Sequence, residues 1–293
     1  MRRLLIIGCG DVALRAAPYL CDRYRIYALT HSRERAPLLR GRGIVPIAGN
    51  LDDAASLDGL AGIAHDVLHC APPPNSGTRD TRTSHLIAAL AKAKSLPQQL
   101  VYISTSGVYG DCGGEYVDET RPLRPRSARA LRRVDAERQL RDWGRRSRVR
   151  VCVLRAPGIY SSERLPLERL KSGMPALKAE DDAYTNHVHA DDLACMAVAA
   201  LRFGHPGRLY NANDDSRLKM GDYFDLVADR YGLPRPQRIA RAEAGARIPP
   251  HLLSFMNESR RLSNRRIKHE LRLRLRYPTV RDGLAAARVE ATP

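Results

Sequence analysis

The strongest constraint on this chain lies in its first thirteen residues. An apolar run, Leu4-Leu5-Ile6-Ile7, leads without a break into Gly8-Cys9-Gly10-Asp11-Val12-Ala13, and a helical stretch follows. A buried strand that ends in G-x-G-x-x-A and opens a helix is the phosphate turn of a dinucleotide-binding βαβ unit. Gly8 permits the tight turn, Gly10 lets the backbone approach a pyrophosphate, and Ala13 keeps the helix close to the strand. The N–H groups of the first helical turn, at Asp11, Val12 and Ala13, offer the phosphates donors and the positive end of the helix dipole.

The rest of the first half repeats the strand–helix theme. Apolar runs predict strands at Arg25–Thr30, Gly43–Ile47, Asp66–Ala71, Leu100–Ser104 and Val149–Arg155. Helical patterns predict Asp11–Cys21, Thr81–Ala93 and Arg126–Trp143. Pro18 should loosen the first helix, and Pro46 argues that the third strand is an edge. Alternating β and α units with continuously apolar strands specify an α/β fold, a Rossmann doubly wound parallel sheet covered on both faces. Residues 1–160 are expected to form the dinucleotide-binding core. Residues 161–293 should be mainly a small substrate-side portion, with a strand near Arg208–Asn211 returning to the sheet.

The choice of dinucleotide turns on the end of the second strand. An NAD site usually has an acid there for the ribose 2′-hydroxyl. This chain reads Thr30-His31-Ser32-Arg33. A hydroxyl followed by a guanidinium suits a 2′-phosphate, so NADP is expected in preference to NAD. The alternative is that Ser32 and Arg33 merely open the next helix.

Hydrophobic residues make up 43% of the 293, enough for a sizeable core. The formal net charge is +17, concentrated in two segments. Arg121–Arg150 holds twelve arginines against three acids, and Arg235–Arg276 holds twelve cations against three acids, leaving the remainder close to neutral. Such a field attracts small anions. Aromatics are 5% and form no stacking platform, so a nucleic-acid partner is not expected. None of the six cysteines forms a Cys-x-x-Cys pair, and Cys70 and Cys152 read as buried thiols. His187 and His189 share a strand face, yet no metal site is expected; Asp191 reads as a helix cap and Glu180-Asp181-Asp182 as a solvated loop. The apolar N-terminal run is too short for a signal peptide and no segment suits a membrane span, so a cytoplasmic protein is expected.

Three downstream motifs resemble the extended short-chain dehydrogenase/reductase family of NAD(P)-dependent sugar-nucleotide epimerases, dehydratases and reductases. Val101-Tyr102-Ile103-Ser104-Thr105-Ser106-Gly107-Val108-Tyr109-Gly110 resembles its "SS-x-x-VYG" segment. Leu154-Arg155-Ala156-Pro157-Gly158-Ile159-Tyr160 resembles its "LR-x-x-x-x-YG" strand end, and Asn186-His187-Val188-His189-Ala190-Asp191-Asp192-Leu193-Ala194 its "F-I-H-V-x-D-L-A" segment. The resemblance implies that Asn50 and Leu51 meet the adenine and that Cys70, Ala71 and Pro72 line the cofactor. It further implies that Thr105 is the catalytic Ser/Thr and that Pro157 and Tyr160 flank the nicotinamide. It also implies a homodimer built on the helices Thr81–Ala93 and Arg126–Trp143, where the dense arginines should make association weak or salt-sensitive.

The sequence departs from that family in two places: its turn is G-x-G-x-x-A where the family usually has G-x-x-G-x-x-G, and a second departure bears on chemistry. The family carries Tyr-x-x-x-Lys on the helix after the fifth strand. Aligning Glu137 with the acid that follows this motif puts Arg129 at the Tyr position and Arg133 at the Lys position. No Tyr lies between Tyr116 and Tyr160. A guanidinium cannot serve as general acid–base near neutrality, which leaves Tyr109 and Tyr160 as the nearest phenols. The expected function is an NAD(P)-binding enzyme acting on a small anionic substrate, for example a nucleotide sugar. The alternative is a non-catalytic dinucleotide-binding sensor or interaction module.

Overall fold

The computed structural model describes residues 1–287. Its centre is a seven-stranded sheet of β1 (Arg2–Ile7), β2 (Tyr24–Thr30), β3 (Val45–Ala48), β4 (Asp66–His69), β5 (Gln99–Thr105), β6 (Arg150–Ala156) and β7 (Leu209–Asn211). The order across the sheet is β7-β6-β5-β4-β1-β2-β3, and every neighbouring pair is parallel. The direction of winding reverses between β1 and β4, and ligands of such sheets bind at that switch point.

Alternation along β1 explains the layering. Leu4 and Ile6 face one apolar core together with Val12, Ala13, Ala16 and the helix of Leu193–Leu201, whereas Leu5 and Ile7 face another with Leu86, Leu90, Leu140 and Trp143. The helices that bear on the site include α1 (Asp11–Ala16), α2 (Arg35–Gly41), α3 (Thr81–Ala91), α4 (Ala128–Ser147), α5 (Ala190–Phe203), α6 (Met220–Arg230) and α7 (Val280–Ala286). No helix among the described residues is long and apolar enough to cross a membrane.

Local chemistry sets the boundaries. Pro18 does more than bend the first helix: α1 stops at Ala16, and Ala17–Tyr19 continues as a 3-10 turn. Pro46 lies in β3, at the sheet edge, where a missing N–H costs no ladder bond. The Ser127 hydroxyl accepts from the Ala130 N–H at 3.2 Å, so α4 begins at Ala128 rather than Arg126. Asp191 is not the cap of α5. His189 takes that place, its Nδ1 accepting from the Asp191 N–H at 3.2 Å, while the Asp191 carboxylate pairs with Arg15 at 2.6 Å.

The second half adds short paired segments and a third apolar cluster of Tyr160, Tyr223, Phe224, Val227, Val280 and Leu284. The acidic loop is not simply solvated: Asp182 accepts from the Gly221 N–H at 2.7 Å in the first turn of α6, and Asp181 from the Arg241 N–H at 2.9 Å. All six cysteines are free; Cys9, Cys112 and Cys152 are buried and Cys21 is exposed.

Candidate functional site

The turn after β1 has the geometry that its glycines require. Gly8 has φ of +81°, and a Cβ there would stand 2.5 Å from the Ala71 backbone nitrogen. Only glycine fits. Gly10 is different. Its φ of −91° suits any residue, and a Cβ would meet no atom within 4 Å. The space beside Gly10 is therefore an open cradle next to the unpaired N–H groups that begin α1. Asp11 places a carboxylate in that first turn, and Arg15 at 2.7 Å and Arg164 at 3.5 Å offset its charge.

The adenosine-side candidates lie at the carboxyl ends of β2, β3 and β4. The Ser32 N–H donates to the Thr30 hydroxyl at 3.3 Å, while Arg33 is exposed. The arginine that crosses back onto the glycine turn is Arg35, whose Nη2 donates to the Cys9 carbonyl at 2.8 Å. Asn50 spends its side-chain oxygen on the Asp52 N–H at 3.0 Å, and Leu51 is buried beneath it. The Pro72 carbonyl accepts from Arg82, which also grips Asp52 with two bonds of 2.7 Å. Burial pushes the Cys9 thiol up to about 11 and the Cys70 thiol up to about 12, so neither is a thiolate at neutral pH.

The main cleft, about 1020 Å³, joins the turn to the substrate side. Gly8, Gly10, Asp11, Val12, Ala13, Cys70, Thr105, Arg129, Arg133, Pro157 and Tyr160 all line it. Ser32, Arg33, Asn50, Leu51, Ala71, Pro72 and Tyr109 do not. Five arginines line the same space, Arg126, Arg129, Arg133, Arg164 and Arg260, against two carboxylates, Asp11 and Glu258. Glu258 is already paired with Arg260 at 2.8 Å. Arg129 and Arg133 are one turn apart on α4. Arg133 is anchored: Nη1 donates to the Tyr102 hydroxyl at 2.8 Å and the Ile103 carbonyl at 3.0 Å, and the guanidinium lies over the Tyr102 ring.

The three candidate hydroxyls differ sharply. Thr105 faces the cleft at the end of β5, where its Oγ1 accepts from the Gly107 N–H at 3.2 Å. Tyr109 is enclosed in the protein: its hydroxyl donates to Asn211 at 2.7 Å and accepts from Arg155 at 3.0 Å. It therefore does not serve as a cleft phenol. Arg155 is held in turn by Glu137 at 2.7 Å, and Glu137 also accepts from the Ser104 hydroxyl at 2.6 Å. Tyr160 presents its ring to the cleft, but its hydroxyl points to α7, donating to the Thr279 carbonyl at 3.3 Å. Burial, and then the charges of Asp214 and Asp192, push that phenol well above its ordinary pKa.

His187 and His189 stand on the strand His187–His189, which pairs with Gly158–Tyr160, and Tyr160 meets both rings edge-on. His187 stacks on Tyr223 at 4.1 Å, and burial holds it near 3, so it is neutral at pH 7. Among the described residues no group of three or more metal-ligating side chains is assembled. Sequence reasoning passed over Arg164, Arg260 and Glu258, which line the cleft, and Arg35, which reaches the glycine turn from outside that lining. Arg260 and Glu258 fell inside a segment read only for its net charge, and Arg35 and Arg164 lie outside the motifs.

The model of the NAD dependent epimerase/dehydratase family matches residues 13–212. The chain belongs to this family. The match spans the strands β2 to β7 and the motifs around Thr105, Tyr160 and His189. Among solved structures, a functionally unknown conserved protein from Silicibacter pomeroyi is similar over 98% of both chains, at 28% identity and a TM-score of 0.78. At the level of fold, this family member is also similar to dTDP-glucose 4,6-dehydratase from Streptomyces venezuelae, over 97% of this chain and 95% of that one, at 21% identity and TM-score 0.77. UDP-glucose 4-epimerase from Thermotoga maritima covers 97% of each chain at 16% identity and TM-score 0.77. No curated protein matches the sequence significantly.

Proposed function

We propose that this family member is an NAD(P)-binding enzyme acting on a small anionic substrate, for example a nucleotide sugar, without a Tyr–Lys proton relay. The observation that carries the reading is the convergence of five arginines on the cleft that holds Gly8 and Gly10. The cradle beside Gly10, which a Cβ would enter freely, fits a pyrophosphate. The solved dehydratase from Streptomyces venezuelae has NAD bound, and the epimerase from Thermotoga maritima has UDP-glucose bound. Both are consistent with this fold taking a dinucleotide and a nucleotide sugar in one cleft.

The bound dinucleotide would supply hydride exchange at its nicotinamide. This chain's residues do the rest. The first turn of α1 and Gly10 bind pyrophosphate, and Arg33 and Arg35 bind a 2′-phosphate, favouring NADP. Arg129, with Arg126, Arg164 and Arg260 nearby, neutralises substrate phosphate or carboxylate and stabilises a developing oxyanion. Thr105 positions a carbonyl or hydroxyl. None of these groups moves a proton near pH 7 in the manner of a Tyr–Lys pair.

The test is cofactor turnover over a panel of nucleotide sugars and small carbonyls, on the wild type and on Arg129→Tyr with Arg133→Lys. The reading expects slow or absent wild-type turnover and a gain in the double variant. Fast wild-type turnover that survives Tyr109→Phe and Tyr160→Phe contradicts it. The second reading, a non-catalytic dinucleotide sensor, is favoured by one observation: Tyr109 and Tyr160 both have their hydroxyls engaged away from the cleft. Tight dinucleotide binding with no turnover in any variant supports it.

A further inference from the structure

A second cavity, about 740 Å³, lies on the other side of the segment Thr185-Asn186, which also walls the main cleft. Its size suits a single small ligand. Arg217, Arg261 and Arg265 line it, and none of the three has a carboxylate partner among the described residues. The acids that share the cavity are otherwise engaged: Asp215 pairs with Lys268 at 2.5 Å, and Asp118 accepts from Thr120 at 2.6 Å. The exposed ring of Tyr116 has Arg217 at 5.7 Å and Arg261 at 4.1 Å, and Arg261 lies also over Tyr184 at 4.8 Å. Arg261 is fixed by donating to the Gly114 carbonyl at 2.6 Å.

The inner wall holds the second independent sign. Asp214 is only 2% exposed. Its Oδ1 accepts from the Ser216 N–H at 2.9 Å, and its Oδ2 has no hydrogen-bond partner among the described residues. A buried carboxyl oxygen without a donor costs stability unless something fills the place. Burial also raises this carboxyl to about 7. Anion-binding guanidiniums at the rim and a buried carboxyl without a full set of partners beside them call for one molecule that carries both an anion and a polar group.

We propose that this cavity is a second ligand site for a small phosphorylated compound of nucleoside-monophosphate size. Its phosphate is held by Arg217 and Arg265, and a hydroxyl of its sugar pairs with the Asp214 carboxyl. The exposed ring of Tyr116 gives its flat part an aromatic flank. The site is separate from the glycine turn, and the inference does not depend on dinucleotide binding.

Isothermal calorimetry with uridine monophosphate, ribose 5-phosphate and inorganic phosphate tests it on the full chain. The wild type should bind uridine monophosphate. Arg217→Ala with Arg265→Ala should weaken that binding at least about tenfold, Asp214→Asn should weaken it further than it weakens inorganic phosphate, and Arg164→Ala in the main cleft should leave it unchanged. Arg217 and Arg265 are exposed, so thermal melts of that variant should match the wild type. No binding of any probe overturns the proposal. So does binding that is lost with Arg164→Ala and kept by the Arg217/Arg265 variant, because the ligand then sits in the main cleft. If NADP fails to bind while these results hold, the cofactor reading falls and this site stands.

Discussion

Arg35 and Cys9 tie the start of α2 to the glycine turn: the guanidinium Nη2 donates to the Cys9 carbonyl at 2.8 Å. That bond holds a fixed positive charge beside the place where the ribose of a dinucleotide would lie, at the end of β2. Arg35→Ala and Arg33→Ala should each weaken NADP binding by about 1.5–3 kcal/mol, roughly ten- to hundredfold. NAD affinity should change little. Competition titrations of the two cofactors check this, and equal losses for NAD and NADP would contradict it.

Gly8 and Gly10 should separate folding from binding. Gly8→Ala forces a Cβ to 2.5 Å from Ala71 at φ +81° and should destabilise the fold by about 1–3 kcal/mol. Gly10→Ala meets open space and a permitted φ, so its melting temperature should stay near that of the wild type while dinucleotide affinity falls. A Gly10→Ala protein that binds NADP as well as the wild type would remove the cradle from the account.

Glu137 and Arg155 form the most buried ion pair of the core, with side chains 3% and 2% exposed. Ser104 and Tyr109 complete the set of hydrogen bonds. Removing one partner leaves a charge without compensation, so Glu137→Ala or Arg155→Leu should cost about 3–5 kcal/mol. Tyr109→Phe should cost less, about 1 kcal/mol, with cofactor binding intact. Urea titrations give both values.

The pH dependence of stability has two opposing parts. Burial, with the Arg133 charge, lowers His69 to about 3, and burial lowers His187 to about 3. The unfolded chain binds protons at these rings near pH 6.5 and the folded chain does not, so stability is lost as pH falls below about 6.5. Asp214 is raised to about 7 and acts the other way: the folded state keeps its proton, and stability declines as pH rises between about 4 and 7. His69→Gln should flatten the acid loss seen in denaturant titrations from about pH 7 to pH 4.5, and Asp214→Asn should steepen it. A steeper loss in His69→Gln would contradict these signs.

The α4 helix carries seven arginines into the region that the family resemblance assigns to dimerisation, and Arg138 and Arg145 are 71% and 80% exposed. Association through α3 and α4 should strengthen as salt rises from about 50 to 500 mM, because screening weakens like-charge repulsion. Sedimentation velocity checks this; a tight dimer at every ionic strength would contradict it.

What could be read in the chain and what could not divides along a physical line. β1 and its turn, the apolar strands β4 to β6, and the return of β7 were legible because each is written in consecutive residues, as apolar period or glycine spacing. Arg35 was not, since its partner Cys9 lies 26 positions away and the approach exists only once β1 and β2 are paired. Tyr109 carried a motif position, yet whether its hydroxyl faced solvent depended on Arg155 and Asn211, from two other strands. His189 displaced Asp191 as the α5 cap because the preceding strand register put its ring at the helix start. The second cavity had no linear signature; it is made by segments near residues 116, 216 and 264 that meet only in the folded chain.

The central claim is that the cleft of Gly10 and the five arginines binds a dinucleotide, with NADP preferred. Isothermal calorimetry of NADP and NAD against the wild type and Gly10→Ala measures it directly. The account predicts one site per chain, at least about tenfold tighter for NADP, and weakened by Gly10→Ala without loss of folded protein. Tighter NAD binding, or no binding of either dinucleotide by a folded wild type, would contradict it.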